Sequence, residues 1–471
     1  MDEHSFLSSS RRSFLKAFSV LGAGLVAISG SVTTEAAAPK LDSPRSPRRR
    51  KNARYMGDFA AAKLEVVRWG IIGVGSRGAG HAIQLAQIDG SQVVAISDLY
   101  EDQAKASAKE IEQLGKPAPA LYYGAPAKYH EMLARADIDA VVIATPWAEH
   151  APMAIAAMKA GKHAFVEVPL GLTVQELWEI VDTAEQTGRH CMMMENCNYG
   201  REELLFLNMC RLGVIGELLH GEAAYIHDLR EQMKQADRGA GSWRTGYYAK
   251  PNGGNIYPTH GLGPVAQYMN LARTEDQFER VVSLATPGRG RGLYAKKNFS
   301  ADHKWNQLKF EGGDLSTQLI KTQLGRTIMV QWDETSPRPY TRHNLIQGTG
   351  GTLAGYPARA AIEARGTHHV WSEGAEFEKL YAEFDHPLWK RMGELATKMG
   401  GHGGMDFIMR ARMVECLRRG EPLDQNVYEG AFWSVVRPLS EKSETEGGMP
   451  QLFPDFTRGG WKTTKPLGIV A

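Results

Sequence analysis

Cysteine is scarce in this chain: Cys191, Cys197, Cys210 and Cys416 are the only four in 471 residues. They show no zinc spacing, and a chain folded in a reducing compartment need not form disulfides. Charge of one sign is lacking too. Lys and Arg number 55 against 53 Asp and Glu, a net +2 that provides no overall field for nucleic acid. Long hydrophobic runs are missing as well; the apolar stretch at 17–32 is too short and too rich in Gly and Ser to span a bilayer. No internal repeat is present. His368 and His369, and the histidine of "GGHGG" (400–404), have no second ligand set at diagnostic spacing, so no metal centre is expected. What remains is 43% hydrophobic and 23% charged, the composition of a soluble globular protein, at a length that suits two domains.

The first residues read as an address label. "SRRSFLK" (10–16) precedes the apolar stretch, and "TEAAA" (34–38) supplies small residues for cleavage. Paired arginines followed by Phe-Leu-Lys resemble the twin-arginine signal, which predicts the twin-arginine export machinery as a partner and a periplasmic or secreted location. No cysteine closes the apolar run, so a lipoprotein anchor is not indicated. The basic "SPRRRKNAR" (46–54) reads as a solvated tether.

From residue 65 short β-prone runs alternate with helical periods. "VVRWGIIGVG" (66–75) reads as a buried strand and "RGAGHAIQLAQID" (77–89) as the helix after it. "SQVVAISD" (91–98) is a second strand, followed by "EDQAKASAKEIEQLG", a helix closed by Gly115. Strands are also expected within 119–124, 139–146, 163–169 and 190–197, with helices near 148–159 and 173–187. Such alternation predicts an α/β fold with a doubly wound parallel sheet, the Rossmann arrangement. Beyond residue 202 longer β-like runs prevail, at 217–229, 314–325, 327–334 and 342–353, with helices at 264–272 and 406–419. They predict an α+β domain on a largely antiparallel open sheet. The expected organisation is a signal peptide (1–38), a basic linker (39–64), a dinucleotide domain (65–201) and a substrate domain (202–471).

"GVGSRG" sets Gly73, Gly75 and Gly78 in G-x-G-x-x-G register, with Ser76 and Arg77 in the turn. The first glycine permits a tight turn, the second lets the backbone approach a pyrophosphate, and the third lets helix and strand pack closely. The strand–turn–helix context is what the motif requires. Asp98 ends the second strand, where a carboxylate accepts hydrogen bonds from the adenosine ribose and repels a 2′-phosphate, favouring NAD over NADP; a helix cap is its alternative role. Trp147 and His150 follow the fourth strand at the expected crevice, as dinucleotide lining or as packing.

"GVGSRG", "SDLYED", "ATPWAEH", "VEVP" and a Gly-Gly…His segment together resemble the glucose–fructose oxidoreductase/inositol dehydrogenase superfamily. Its members carry Glu-Lys-Pro after the fifth strand, where this chain has Glu167-Val168-Pro169. In "GGNIYPTHGLGP" (253–264) His260 is kept, while Tyr257 stands where an acid would be expected. With "ENCNYGREE" (195–203) and "GSWRTGYY" (241–248), these departures resemble glycoside hydrolase family 109, the NAD-dependent α-N-acetylgalactosaminidases.

That resemblance implies bound NAD and a glycan substrate ending in an N-acetylhexosamine. It implies hydride removal from C3, loss of the C2 proton, departure of the C1 aglycone, addition of water and return of the hydride, one of the exceptions to two-carboxylate hydrolysis. His260 is the expected acid/base or oxyanion stabiliser, and Tyr199 the base for the C2 proton, aided by Arg201 or the cofactor's charge. Tyr225, Arg244, Tyr257 and Tyr340 would contact the sugar. Glu167 and Asn196 fall on the nicotinamide side, with Val168 packing beside the ring. A protein exported folded could carry its cofactor with it. Net sugar oxidation by a periplasmic dehydrogenase is the alternative activity, and assembly into a homo-oligomer is left open.

Overall fold

The computed structural model describes residues 46–250 and 253–469. The expected signal peptide (1–38) and the first part of the expected linker lie outside the described residues.

Strands β1 (Val67–Ile72), β2 (Ser91–Asp98), β3 (Ala120–Tyr123), β4 (Ala140–Ile143), β5 (His163–Val166) and β6 (Cys191–Met193) form one sheet. It is parallel throughout, in the order β3-β2-β1-β4-β5-β6. The order reverses between β1 and β4, and ligands collect at the strand C-termini beside such a switch point. β4, β5 and β6 are buried at every position, as expected for strands covered on both faces. The helices that alternate with them are α1 (Gly78–Gln87), α2 (Glu101–Gln113), α3 (Lys128–Leu133), α4 (Trp147–Lys159) and α5 (Val174–Thr187). α5 shows why the local sequence suffices: Thr173 and Glu176 form a reciprocal capping box at its start, and Gly188 closes it at φ 59°. α3, at six residues, is too short to show a period and was not foreseen.

A second sheet contains β7 (Leu218–Ile226), β8 (Phe278–Ala285), β9 (Ser316–Thr322), β10 (Thr327–Asp333), β11 (Leu345–Gly348), β12 (Gly351–Ala354), β13 (Arg359–Ile362), β14 (Ser372–Glu373) and β15 (Gln451–Leu452). Its order is β14-β13-β12-β11-β7-β10-β9-β8-β15. Only β7 and β10 run parallel, so the sheet is largely antiparallel and open, as expected. The helices of this half are α6 (Arg201–Arg211), α7 (Ala240–Arg244), α8 (Thr259–Tyr268), α9 (Gly290–Asn298), α10 (Ala375–Phe384), α11 (Pro387–Met399), α12 (Met405–Arg419) and α13 (Val427–Thr445). α12 packs on α1, and α13 on α5 and β6 as well as on β8. The last helices therefore join the two sheets.

Two sequence expectations change here. Residues 46–54 are largely solvated but tied down, not a free tether: Arg49 pairs with Glu185 at 3.1 Å, and the Arg54 amide donates to the Glu185 carbonyl at 2.7 Å. Glu185 is buried on α5 and needs cationic partners, which Arg49 and Arg458 supply. The helix expected at 264–272 starts at Thr259 and keeps Pro264 inside it. Close packing decides this: a Cβ at Gly261 would meet the Ala224 nitrogen of β7 at 2.3 Å, and one at Gly263 would meet Asn198 and Glu195 at 2.9 Å. Those glycines let α8 lie directly on β7, and the contact outweighs the cost of an interior proline.

Candidate active site

At the end of β1 the turn is shaped for a dinucleotide. Gly73 has φ 83° and its Cβ would strike the Ala144 carbonyl, while a Cβ on Gly78 would lie 1.8 Å from the Gly73 oxygen. A Cβ on Gly75 would meet nothing within 4 Å, so this glycine faces the space in which a pyrophosphate can approach. No side chain caps α1, which leaves its positive end without a side-chain partner and open to phosphate. Asp98 is not the cap of α2; Tyr100 occupies that position. The Asp98 carboxylate instead accepts from the Val74 and Tyr100 amides, each at 2.8 Å, and ties the glycine turn to the end of β2. These features fit NAD.

The strand ends next to the turn carry a charged network. Glu167, past β5, accepts from Arg77 at 3.0 Å and from His81 Nε2 at 2.7 Å. Arg77 also reaches Asp406 at 2.8 Å, and the other Asp406 oxygen accepts from Asn196 Nδ2 at 2.7 Å. Burial opposes ionisation of Glu167, but the Arg77 charge and the His81 hydrogen bond outweigh it and hold its carboxyl well below the usual range. Burial, helped by Arg410, pushes the His81 pKa down to about 4. Arg410 Nε donates to His81 Nδ1 at 2.8 Å, which requires a lone pair there and assigns the proton to Nε2, facing Glu167. Val168 is buried beside this group. His150 is buried, with Nδ1 2.7 Å from the Pro169 carbonyl and Nε2 2.8 Å from that of Thr145. Its ring anchors the two loops instead of presenting a nitrogen to the crevice.

Above these strand ends lies an aromatic cluster from the second half. Gly253-Gly254-Asn255 is fastened to α13: a Cβ on Gly254 would meet the Glu441 amide at 2.5 Å, and the Asn255 amide donates to Ser440 at 2.9 Å. The chain then turns into α8 with Tyr257 and His260 on one side. His260 Nδ1 lies 2.6 Å from Glu195 Oε1, and its Nε2 lies 3.4 Å from the Tyr257 hydroxyl. Glu195 is fully buried, yet His260 holds its carboxyl below the usual value against that burial. An ionised carboxylate can only accept, so Nδ1 carries a proton and Nε2 is the nitrogen that faces the tyrosine cluster. Tyr225 packs edge-on against His260 (5.1 Å between ring centres), and its hydroxyl lies 2.9 Å from His227 Nδ1. Burial lowers the His227 pKa and raises that of Tyr225. Tyr340, 40% exposed, stands edge-on to Tyr225 and His227 at the rim. Arg244 lies 4.6 Å from the Trp147 ring centre and 4.9 Å from that of Tyr257, paired with buried Glu334. Burial works against its charge, and Glu334 more than restores it.

The chain matches two family descriptions in tandem: "Oxidoreductase family, NAD-binding Rossmann fold" over residues 67–195, and "Glycosyl hydrolase 109, C-terminal domain" over 199–463. It belongs to glycosyl hydrolase family 109. A family 109 protein of Akkermansia muciniphila is 57% identical, with 98% of this chain and 99% of the relative aligned. A Shewanella oneidensis protein named alpha-N-acetylgalactosaminidase is 54% identical, with 98% of each chain covered. Among solved structures, levoglucosan dehydrogenase in complex with NADH aligns with a TM-score of 0.59 at 17% identity, covering 83% of this chain and 99% of that one. Scyllo-inositol dehydrogenase from Lactobacillus casei with bound NAD(H) and scyllo-inositol gives 0.58 at 14%, covering 82% and 99%. These share the fold. This family 109 chain is accordingly an NAD-dependent glycoside hydrolase built on a dehydrogenase frame.

Within this family 109 site one sequence assignment needs correction. Tyr199 is not brought to the cluster: its buried hydroxyl donates to Asp424 at 3.2 Å, in a group closed by Arg412. Burial and the Asp424 charge push its pKa well up. Arg201, the proposed activator, is bound to Asp385 at 2.7 Å. Sequence reasoning passed over Glu195, His227, Glu334 and Asp406. Only Glu195 carried a signal, as an acid just past the end of β6. Glu195, Cys197 and His260 also place an oxygen, a sulfur and a nitrogen within 4.8 Å of one another. Burial raises the Cys197 thiol well above its usual value, and the carboxylate and imidazole are joined directly, so the trio reads as a hydrogen-bonded pair with a neutral thiol beside it.

Proposed function

We propose that this family 109 chain hydrolyses terminal α-N-acetylgalactosaminides by transient oxidation at C3, and that it works outside the cytoplasm after twin-arginine export. The observation that carries the catalytic reading is the Glu195–His260 pair, 2.6 Å apart, beside the tyrosine cluster and next to the nicotinamide-side strand ends. The relative named alpha-N-acetylgalactosaminidase, 54% identical over 98% of the chain, supports the substrate. The export reading rests on "SRRSFLK" and the apolar run after it.

Held between the glycine turn and the strand ends at Glu167 and Asn196, NAD would supply an acceptor for the C3 hydride and a donor for its return. His260 Nε2 receives the C3 hydroxyl proton, and Glu195 stabilises the imidazolium that results. With valine at 168, no lysine competes for that task. The ketone acidifies C2–H; that proton passes to the Tyr225 oxygen as Tyr225 gives its own to neutral His227. Electrons from the C2–H bond then form the C1–C2 double bond and expel the aglycone oxygen. Water adds at C1 and gives its proton to the aglycone oxygen, the proton at His227 returns through Tyr225 to C2, and His260 returns its proton to the C3 oxygen as the hydride comes back. Arg244 and Tyr340 hold the sugar's polar groups from either side of the cluster.

Release of nitrophenol from an α-N-acetylgalactosaminide, without added cofactor and without NADH accumulation, is the expected result, with solvent deuterium appearing at C2 of the product. Stoichiometric NADH with intact glycoside would establish net oxidation in its place. For export, mutation of the paired arginines should leave the protein in the cytoplasmic fraction; unchanged secretion would sink that half of the proposal.

A further inference from the structure

Residues 238–247 of the second half are fastened to the nucleotide-binding half at two separate points. At one, Arg238 forms a two-pronged ion pair with Asp102 (2.9 and 3.0 Å), and its guanidinium lies 4.0 Å from the centre of the Tyr100 ring. Gln103 completes this contact. With its amide nitrogen toward the Val74 carbonyl (3.1 Å), its oxygen accepts from Arg238 at 3.2 Å. At the other point Trp243 and Tyr247 each pack 5.1 Å from the Trp147 ring centre.

The topology gives these points meaning. Tyr100 and Asp102 stand at the start of α2, just past β2, and Trp147 opens α4, just past β4. β1 lies between β2 and β4, and its end carries the glycine turn. A segment tied to both neighbours must therefore cross above that turn, where the pyrophosphate of a dinucleotide sits. We propose that residues 238–247 form a strap over the bound dinucleotide, with Arg238 as its catch at the adenosine end. The idea rests on NAD binding by the first domain and is independent of the glycosidase reading.

The two ends differ in character. Trp147 is 4% exposed and Arg244 is buried against it, so that end is part of the core. Arg238 and Asp102 side chains are 39% and 68% exposed, which makes their contact screenable and easily opened. Gly239 follows at φ 99°, a conformation that permits a sharp bend beside the catch. Opening at Arg238 frees the passage, and closing it retains the cofactor.

The test is the rate at which bound NAD leaves. Protein freed of excess cofactor is mixed with a nucleotide-degrading enzyme, and the NAD still bound is measured over time. Arg238→Ala, which removes an exposed ion pair and a cation–π contact, should speed release by about five- to twentyfold. Added salt should speed release from the wild type but hardly affect the variant. Asp102→Asn should act in the same direction, and the double variant should release NAD no faster than Arg238→Ala alone. Release from Arg238→Ala within twofold of wild type would overturn the strap, as would an equal salt response in both proteins. Because NAD content is read directly, failure of the glycosidase reading would leave this outcome unaffected.

Discussion

Glu195→Gln is the sharpest test of the site. The amide is nearly isosteric with the carboxylate, so it fits the same buried position 2.6 Å from His260 Nδ1. It removes the charge that stabilises a protonated imidazole, and it can donate as well as accept, so the proton is no longer pinned to Nδ1. A hydrogen bond to a charged group contributes about 1.5–3 kcal/mol. If that difference is felt in the step that protonates His260, the rate falls about ten- to a hundredfold, since 1.36 kcal/mol is one decade. The assay is release of nitrophenol by protein of known NAD content, with wild-type, Glu195→Gln, His260→Ala and the double variant compared side by side. The first substitution should lower the rate while NAD content stays near that of wild type. His260→Ala should lower it further, and the double variant should match His260→Ala, because Glu195 acts only through the imidazole. A Glu195→Gln rate within twofold of wild type would refute the reasoning, and so would additive losses in the double variant.

Other expectations follow from particular contacts. Gly75→Ala should leave the melting temperature of NAD-free protein nearly unchanged, because its Cβ meets nothing, yet weaken NAD binding at least about tenfold. Gly78→Ala, whose Cβ would lie 1.8 Å from the Gly73 oxygen, should cost about 1–3 kcal/mol of stability in a denaturant titration. Tyr199→Phe should lose about 1.5–3 kcal/mol with its hydrogen bond to the Asp424 carboxylate and keep its activity within twofold; a hundredfold fall in rate would restore Tyr199 to the chemistry. Burial pushes His81, His163 and His386 down to about 4. Between pH 6.5 and 4 the unfolded chain binds protons that the native chain does not. The stability from these neutral histidines is therefore complete above 6.5 and lost as pH falls, by up to about 3 kcal/mol for each. The depressed carboxyls of Glu167 and Asp406 add to the loss at still lower pH. Denaturant midpoints equal at pH 7.5 and pH 4.5 would contradict this.

The dinucleotide half was legible because its strands are short apolar runs set between polar turns. β2 spans the same residues in sequence and structure, Ser91–Asp98. α13 escaped notice for the opposite reason. It is buried along most of its length, so its apolar residues fall on every side and give no face to detect. The parallel pairing of β7 with β10 depends on distant chain segments and has no local signature. Residue types near the site were readable, but their directions were not. Tyr199 and Glu195 are four positions apart across a short 3-10 turn (Asn196–Tyr199) and serve different networks. Glu334 and Asp406 stand alone in the sequence, and only the folding of β10 and α12 toward the strand ends gives them partners.

The position of α12 also sets a timetable for biosynthesis. Asp406 holds Arg77 and Asn196, Arg410 fixes the His81 proton, and α13 covers β6, yet all three lie more than two hundred residues beyond the sixth parallel strand. A ribosome that has delivered the glycine turn and all six parallel strands has therefore not yet produced the side chains that complete the charged network at the strand ends. A fragment stopped at residue 201 would keep the glycine turn and Asp98 but lack the partners that Asp406 and Arg410 give to Arg77, Asn196 and His81.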